Sequence, residues 1–258
     1  MVGLKLIRTL SLLVPVALWQ GAVSAGVISS TVVPPPIVIG TRTITMLAEG
    51  DFLAHLFTTL RRTALAAGAS ALLGVPIGFA MAGNRRIRNV LSPVISTIFA
   101  IPVIALFPLL ILVLGSTEAA LVFTGTVGSF ILIVWNARNG AQAIDPAYVE
   151  VARDNGATGK LALLREVWLP GALPLVFVGL RLGLSMSLLI VTAVEFVAGG
   201  SGLGYVLWIS WQADVLPDMY ATLVVVGMIG ITITYGLTVL RTRLVPWEDL
   251  EPRTVLGP

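Results

Sequence analysis

An all-α fold that crosses a membrane several times is what this 258-residue sequence predicts, and three observations carry that expectation. Apolar residues supply 57% of the chain and charged residues only 11%, against roughly 25% charged in soluble domains, so a globule of this size would be poorly solvated. The apolar residues gather in six runs, each near the ~20 residues that span a hydrocarbon core. In lipid each backbone amide must be satisfied within its own segment, and the alternation of a membrane barrel is missing, so the runs read as helices. A soluble catalytic domain is thereby disfavoured. One transmembrane domain over 1–258 is expected, with a lead-in over 1–62, core spans over 63–240 and a short tail over 241–258.

The first run, Leu6 to Ile28, follows Lys5 and Arg8 and ends in Val23, Ser24 and Ala25, which resembles a signal-peptidase site. Two readings therefore stand, a cleaved leader and a retained span; the run is longer than a usual leader core, and retention gives an even number of spans. Pro34, Pro35 and Pro36 then force a break, because proline lacks the amide donor and clashes with the preceding turn. Beyond it, Ile44, Leu47, Ala48, Phe52, His55 and Leu56 fall at helical spacing. That predicts one surface helix, packed on the bundle or lying at the outer interface. His55 is the only histidine, and its apolar neighbours suit a packed helix.

The remaining runs are Thr63 to Ala82, Leu91 to Leu114, Ala119 to Trp135, Ala172 to Ala198 and Met219 to Leu240. Pro102 and Pro108 interrupt the third, and carbonyls freed in a span are tolerated only where protein or water satisfies them. Both prolines are thus candidates for lining a pathway, with a packing kink as the equal alternative. In the fifth run, Gly179, Gly183, Ser185 and Ser187 form a stripe of small residues suited to close helix packing, as at a dimer interface.

Charge sets the orientation. With the N-terminus inside, Lys5, Arg8, Arg85, Arg86, Arg88, Arg138, Arg153, Lys160, Arg165, Arg241, Arg243 and Arg253 fall on the cytoplasmic side, twelve in all, against Arg42, Arg61 and Arg62 outside. Both termini are then cytoplasmic. The chain holds no cysteine, so thiolate chemistry is excluded, and no phosphate loop, HExxH, GxSxG or clustered metal ligands appear. No metal site, no catalytic residue and no nucleic-acid partner is expected. The run Gly199 to Gly204 follows a span rather than a strand and reads as a flexible or re-entrant loop.

One long cytoplasmic loop, 136–170, offers a soluble partner somewhere to dock. Asp145 suits an N-cap, Pro146 the first helical position and Gly156 a left-handed stop, which predicts a short helix from Pro146 to Asn155. Tyr148, Val151, Ala152 and Asn155 share one of its faces, and Glu150 lies elsewhere on it. So short a helix needs something to pack against.

These residues carry a resemblance. Glu150-Val-Ala-Arg-Asp-Asn-Gly156-Ala157, followed by Val167-Trp-Leu-Pro170, resembles the EAA loop of binding-protein-dependent ABC importer permeases: EAA, three residues, G, then I-x-LP. Val151 stands for the first alanine, and the interval from Gly156 to Pro170 is one residue longer. Thr59-Leu-Arg-Arg62, Leu169-Pro-Gly-Ala-Leu-Pro174, Gly179-Leu-Arg-Leu182, Glu195 and Gly202-Leu-Gly-Tyr205, together with the proline-bearing third span, resemble the nitrate, sulfonate and taurine branch.

The resemblance implies a type I ABC importer permease fold with six transmembrane helices in a bacterial inner membrane. It also implies a second copy of the chain, two cytoplasmic ATPase subunits and an external substrate-binding protein. No cofactor would be bound by this chain, since ATP and Mg would belong to the ATPase. Tyr148, Glu150, Val151, Ala152, Asn155, Gly156 and Ala157 would couple to that ATPase, and the solute would be a small anion such as a sulfonate, taurine or nitrate.

Arg181 and Glu195 lie inside the fifth run, and each costs about 2.5 to 3.5 kcal/mol near a bilayer centre, so each needs compensation. Fourteen residues separate them, about 21 Å along a helix, too far to pair within it. A structural or gating role is expected over substrate contact. The rival reading of the whole chain is a secondary transporter or channel without an ATPase, for which no internal repeat is evident. A membrane-embedded enzyme would need an inward cluster of His, Asp or Glu that the sequence does not supply.

Overall fold

The computed structural model describes residues 2–115, 117–157 and 159–247, with the side chains of 2–10, 12 and 160 outside that description. Among the described residues the elements are helices and no strand: α1 (Val2–Ser24), α2 (Pro36–Ala48), α3 (Gly50–Gly83), α4 (Arg85–Ala100), a 3-10 turn (Val103–Leu106), α5 (Phe107–Leu114), α6 (Thr117–Gln142), α7 (Pro146–Asp154), α8 (Lys160–Leu163), a π turn (Leu164–Trp168), α9 (Leu169–Ala198), α10 (Leu203–Gln212) and α11 (Leu216–Leu244). The all-α expectation holds. The side chains of Lys5, Arg8 and Lys160, and all of Arg253, lie outside the described residues.

Against six expected spans, four described helices are long and apolar enough to cross a membrane: α3, α6, the continuous stretch Leu161–Ala198, and α11. A fifth exists if α4 and the Val103–Leu114 pair count as one. The third run is not a straight span, because α4 and that pair are bent by 90° at Ile101 and Pro102. Pro108 does not break a helix interior; it sits in the first turn of α5, where a missing donor costs nothing. Of the first run, the described stretch from Leu13 to Ser24 is apolar helix and forms the end of α1.

The chain forms two compact units, Met1–Thr59 with Thr192–Ile229, and Leu60–Val191 with Gly230–Pro258. In the first, Met46, Phe52, Leu203, Val206, Ala221 and Val225 form the core. The helix expected across 44–56 is broken, since Glu49 has extended backbone (φ −82°, ψ 124°); α2 ends there and α3 begins at Gly50. His55 therefore belongs to the long helix α3. The Arg42 guanidinium clamps this corner, donating to Asp218 at 2.6 and 2.8 Å and to Glu49 at 2.8 Å. The Asp218 carboxylate holds the guanidinium above its ordinary range, so Arg42 stays cationic in the clamp.

In the second unit α6 is the central helix. Met81, Ile95, Ile131 and Val134 make one core cluster, and Ala137, Ala172 and Val176 another. The small residues of α9 serve this packing: a Cβ on Gly179 would lie 2.7 Å from the Asn136 Cβ, and one on Gly183 would lie 2.7 Å from the Ile133 Cγ1. The stripe thus serves the close helix packing expected of it, and at Gly179 and Gly183 the partner is α6 of the same chain. Ser187 is also buried and donates to the Thr63 carbonyl at 3.2 Å. Arg62, buried in this unit, donates to Glu118 at 2.9 and 2.6 Å, and Arg61 adds a second cation at 2.5 Å.

Candidate coupling helix and buried polar sites

The helix α7 forms where local chemistry demands. Asp145 has extended backbone and its Oδ1 accepts from the Ala147 amide at 2.9 Å, while Pro146 occupies the first turn, where its missing donor is harmless. At the other end Gly156 has φ +96°, its amide donates to the Arg153 carbonyl and the Ala157 amide donates to the Ala152 carbonyl, both at 2.9 Å. That 6→1 and 5→2 pair is a Schellman stop. Asn155 closes the helix as its C-cap rather than extending it, and its side-chain amide donates to the Val151 carbonyl at 2.8 Å.

What α7 presents is an apolar pair, Tyr148 and Val151, set among the exposed charges of Glu150, Arg153 and Asp154. Tyr148 is 68% exposed and Val151 58%, with Glu150 and Asn155 also exposed, Ala152 half-buried and Ala157 buried at 4%. Beside them opens a groove of about 950 Å³ whose walls include Tyr148, Val151, Ala152, Glu166, Pro170 and Trp247. The structure therefore brings Tyr148, Val151 and Ala152 to one groove, whereas Ala157 packs inward and Glu150 does not line it.

The longer interval from Gly156 to Pro170 has a structural answer. The Leu169 amide donates to the Leu164 carbonyl, five residues back, and the turn from Leu164 to Trp168 is π-helical. A π turn closes one residue later than an α turn, so it holds one extra residue without breaking the axis.

Glu195 is fully buried in the first unit, and its partners explain why the cost is tolerated. Its Oε2 accepts from the Thr59 hydroxyl at 2.7 Å and from the Gly204 amide at 3.1 Å. Thr59 Oγ1 in turn accepts from the Leu203 amide at 2.7 Å, and His55 Nδ1 accepts from the Gly202 amide at 3.0 Å. Three side chains thus satisfy three successive amides at the start of α10, whose positive end favours a carboxylate. The glycine run is a loop from Gly199 to Gly202, as expected, and its end is a fitted cap: Gly202 has φ +105°, a Cβ there would lie 2.2 Å from the Glu195 carboxyl carbon, and one on Gly204 would lie 2.1 Å from the Thr192 carbonyl oxygen.

Arg181 is half-buried in the second unit, lining a small recess with Phe177, Leu237, Thr238 and Arg241. Pro102 and Pro108 are exposed at the bend and at the start of α5, in that order. Among the described residues no cluster of metal-ligating side chains occurs. Sequence reasoning missed Thr59 and His55 as partners of the Gly202–Gly204 amides, and Glu118 as the partner of Arg62.

Comparison with known proteins agrees with this architecture. The family model described as "Binding-protein-dependent transport system inner membrane component" matches residues 74–248. The taurine transport system permease protein of Escherichia coli is 29% identical over 94% of this chain and 89% of its own length. The nitrate import permease protein of Synechocystis is 27% identical over 76% and 70%. The fold of a chain from the MetNI methionine ABC transporter, solved in inward-facing conformations, superposes with a TM-score of 0.65 at 21% identity, covering 74% of this chain and 95% of that one. A chain of apolar helices suited to a membrane fits that description, and the chain belongs to the binding-protein-dependent inner-membrane permeases of ABC importers, in their nitrate, sulfonate and taurine branch.

Proposed function

We propose that this permease forms a homodimer whose two α7 helices each seat in a cytoplasmic ATPase subunit, and that ATP hydrolysed there drives alternating access for a small anion delivered by an external binding protein. The observation that carries the reading is α7 itself: nine residues, capped at both ends, with Tyr148 and Val151 exposed beside an open groove. A helix this short is held by its caps and by what it packs on, and an exposed apolar pair invites a partner. In this reading Tyr148, Val151 and Ala152 fill the partner's cleft, Glu150 pairs with a basic residue of the ATPase, and Asn155, Gly156 and Ala157 set the stop that fixes the helix angle.

The chain performs no chemistry and binds no cofactor of its own; ATP and Mg stay with the ATPase. Both termini face the cytoplasm, as the charge count supports. The substrate reading rests on the printed names of the taurine and nitrate relatives. Arg181, in a small recess beside Arg241, and Glu195, committed to the cap of α10, hold structure or gate the path and do not contact the solute. Transport follows if the ATPase dimer binds one arrangement of the spans better than the other.

The test is Gly156→Val in the full transporter. The strained φ should tilt or fray α7, abolish uptake and leave membrane insertion and basal ATPase activity intact. Normal uptake by a Gly156→Val variant expressed at the usual level would overturn the coupling role.

A further inference from the structure

A second groove, of about 740 Å³, opens in the same unit between the end of α3, the start of α4 and the π turn, with Pro76, Phe79, Ala80, Ile87, Leu164 and Trp168 among its walls. Its lining is almost wholly apolar, yet its rim is cationic. Arg85 and Arg86 are exposed and sit between the lining residues Asn84 and Ile87, while on the opposite wall exposed Arg165 is followed directly by exposed Glu166, so the cationic end of the groove is the α4 end. The first turn of α4 bears no acidic residue, and among the described residues no carboxylate pairs with Arg85, Arg86 or Arg88. Cations at the positive end of a helix are electrostatically disfavoured, so the arrangement calls for an anion. Trp168 combines an apolar body with a polar tip, the residue type of the membrane–water boundary.

We propose that this groove holds an acyl chain of an anionic phospholipid whose headgroup phosphate is bound by Arg85 and Arg86. An apolar slot ending in unpaired guanidinium groups matches a molecule with a tail and a phosphate, and no soluble metabolite of the transport reading has that form. The proposal needs only that the chain lies in a membrane, so it stands apart from the coupling role of α7.

The experiment is native mass spectrometry of the full-length chain released from bilayers of phosphatidylcholine and phosphatidylglycerol in equal amounts. The wild-type chain should keep phosphatidylglycerol in preference to phosphatidylcholine. The double variant Arg85→Gln/Arg86→Gln, which alters only exposed positions, should hold it roughly thirty-fold less, as expected for the loss of two basic contacts to an anionic lipid. Ala80→Trp, which fills the slot, should lose both lipids at this site. Equal retention of the two lipids by the wild type, or unchanged phosphatidylglycerol in the double variant, would overturn the proposal. So would an Ala80→Trp chain that keeps its lipid but no longer self-associates, since the groove would then receive a second copy of the chain.

Discussion

Glu195 shows how much one buried side chain can be asked to hold. Its carboxylate and Thr59 between them satisfy the amides of Leu203 and Gly204, and removing an acceptor from buried donors costs about 1–3 kcal/mol. Glu195→Ala should lower the melting temperature of the detergent-solubilised chain by several degrees and by more than Glu195→Gln, which keeps an acceptor oxygen; identical melting of both variants and the wild type would refute the cap. Gly204→Ala should be worse tolerated than a surface Gly→Ala change, because its Cβ would meet the Thr192 carbonyl oxygen, a backbone atom that cannot swing aside. None of this was legible in the sequence. Glu195 stands 136 residues from Thr59, and the chain pattern alone gives no account of which distant hydroxyl meets which carboxylate.

At the scale of the element the sequence was more readable, wherever the determinant was local. The bounds of α7 followed from Asp145, Pro146 and Gly156 because caps act within a turn of where they sit. Asp145→Ala should cost the helix about 1 kcal/mol and weaken co-purification of the ATPase with the permease, with membrane insertion unchanged. The break between α2 and α3 leaves no mark in the sequence because the apolar spacing runs through Glu49 undisturbed, and α10, which begins where the glycine-rich loop ends, is too short to stand out from it. The bend at Pro102 was signalled by its proline, but its 90° size depends on how the flanking helices pack. The number of spans is poorly encoded for the same reason, as a run of apolar residues does not say whether it stays straight.

Across the whole molecule, the family and the all-α fold were legible because composition, run length and the Glu150 to Pro170 motif act together over most of the chain. Orientation is the molecular property that most needs a direct reading, and the absence of cysteine makes it accessible. In single-cysteine variants, Tyr148→Cys should resist a membrane-impermeant maleimide in intact spheroplasts and react after lysis, whereas Thr45→Cys should react before it. The opposite pattern would invert the proposed topology and detach α7 from any cytoplasmic motor.

The π turn at Leu164–Trp168 has an evolutionary corollary. A helix that absorbs a surplus residue by widening one turn keeps everything downstream in phase, so genes of this branch are free to differ by a single codon there without reframing the span that follows. Alignment gaps among such permeases should therefore collect in that turn rather than in the loop behind Gly156, and deleting Arg165 should yield a straight, fully α-helical entry to the next span in a transporter that still imports.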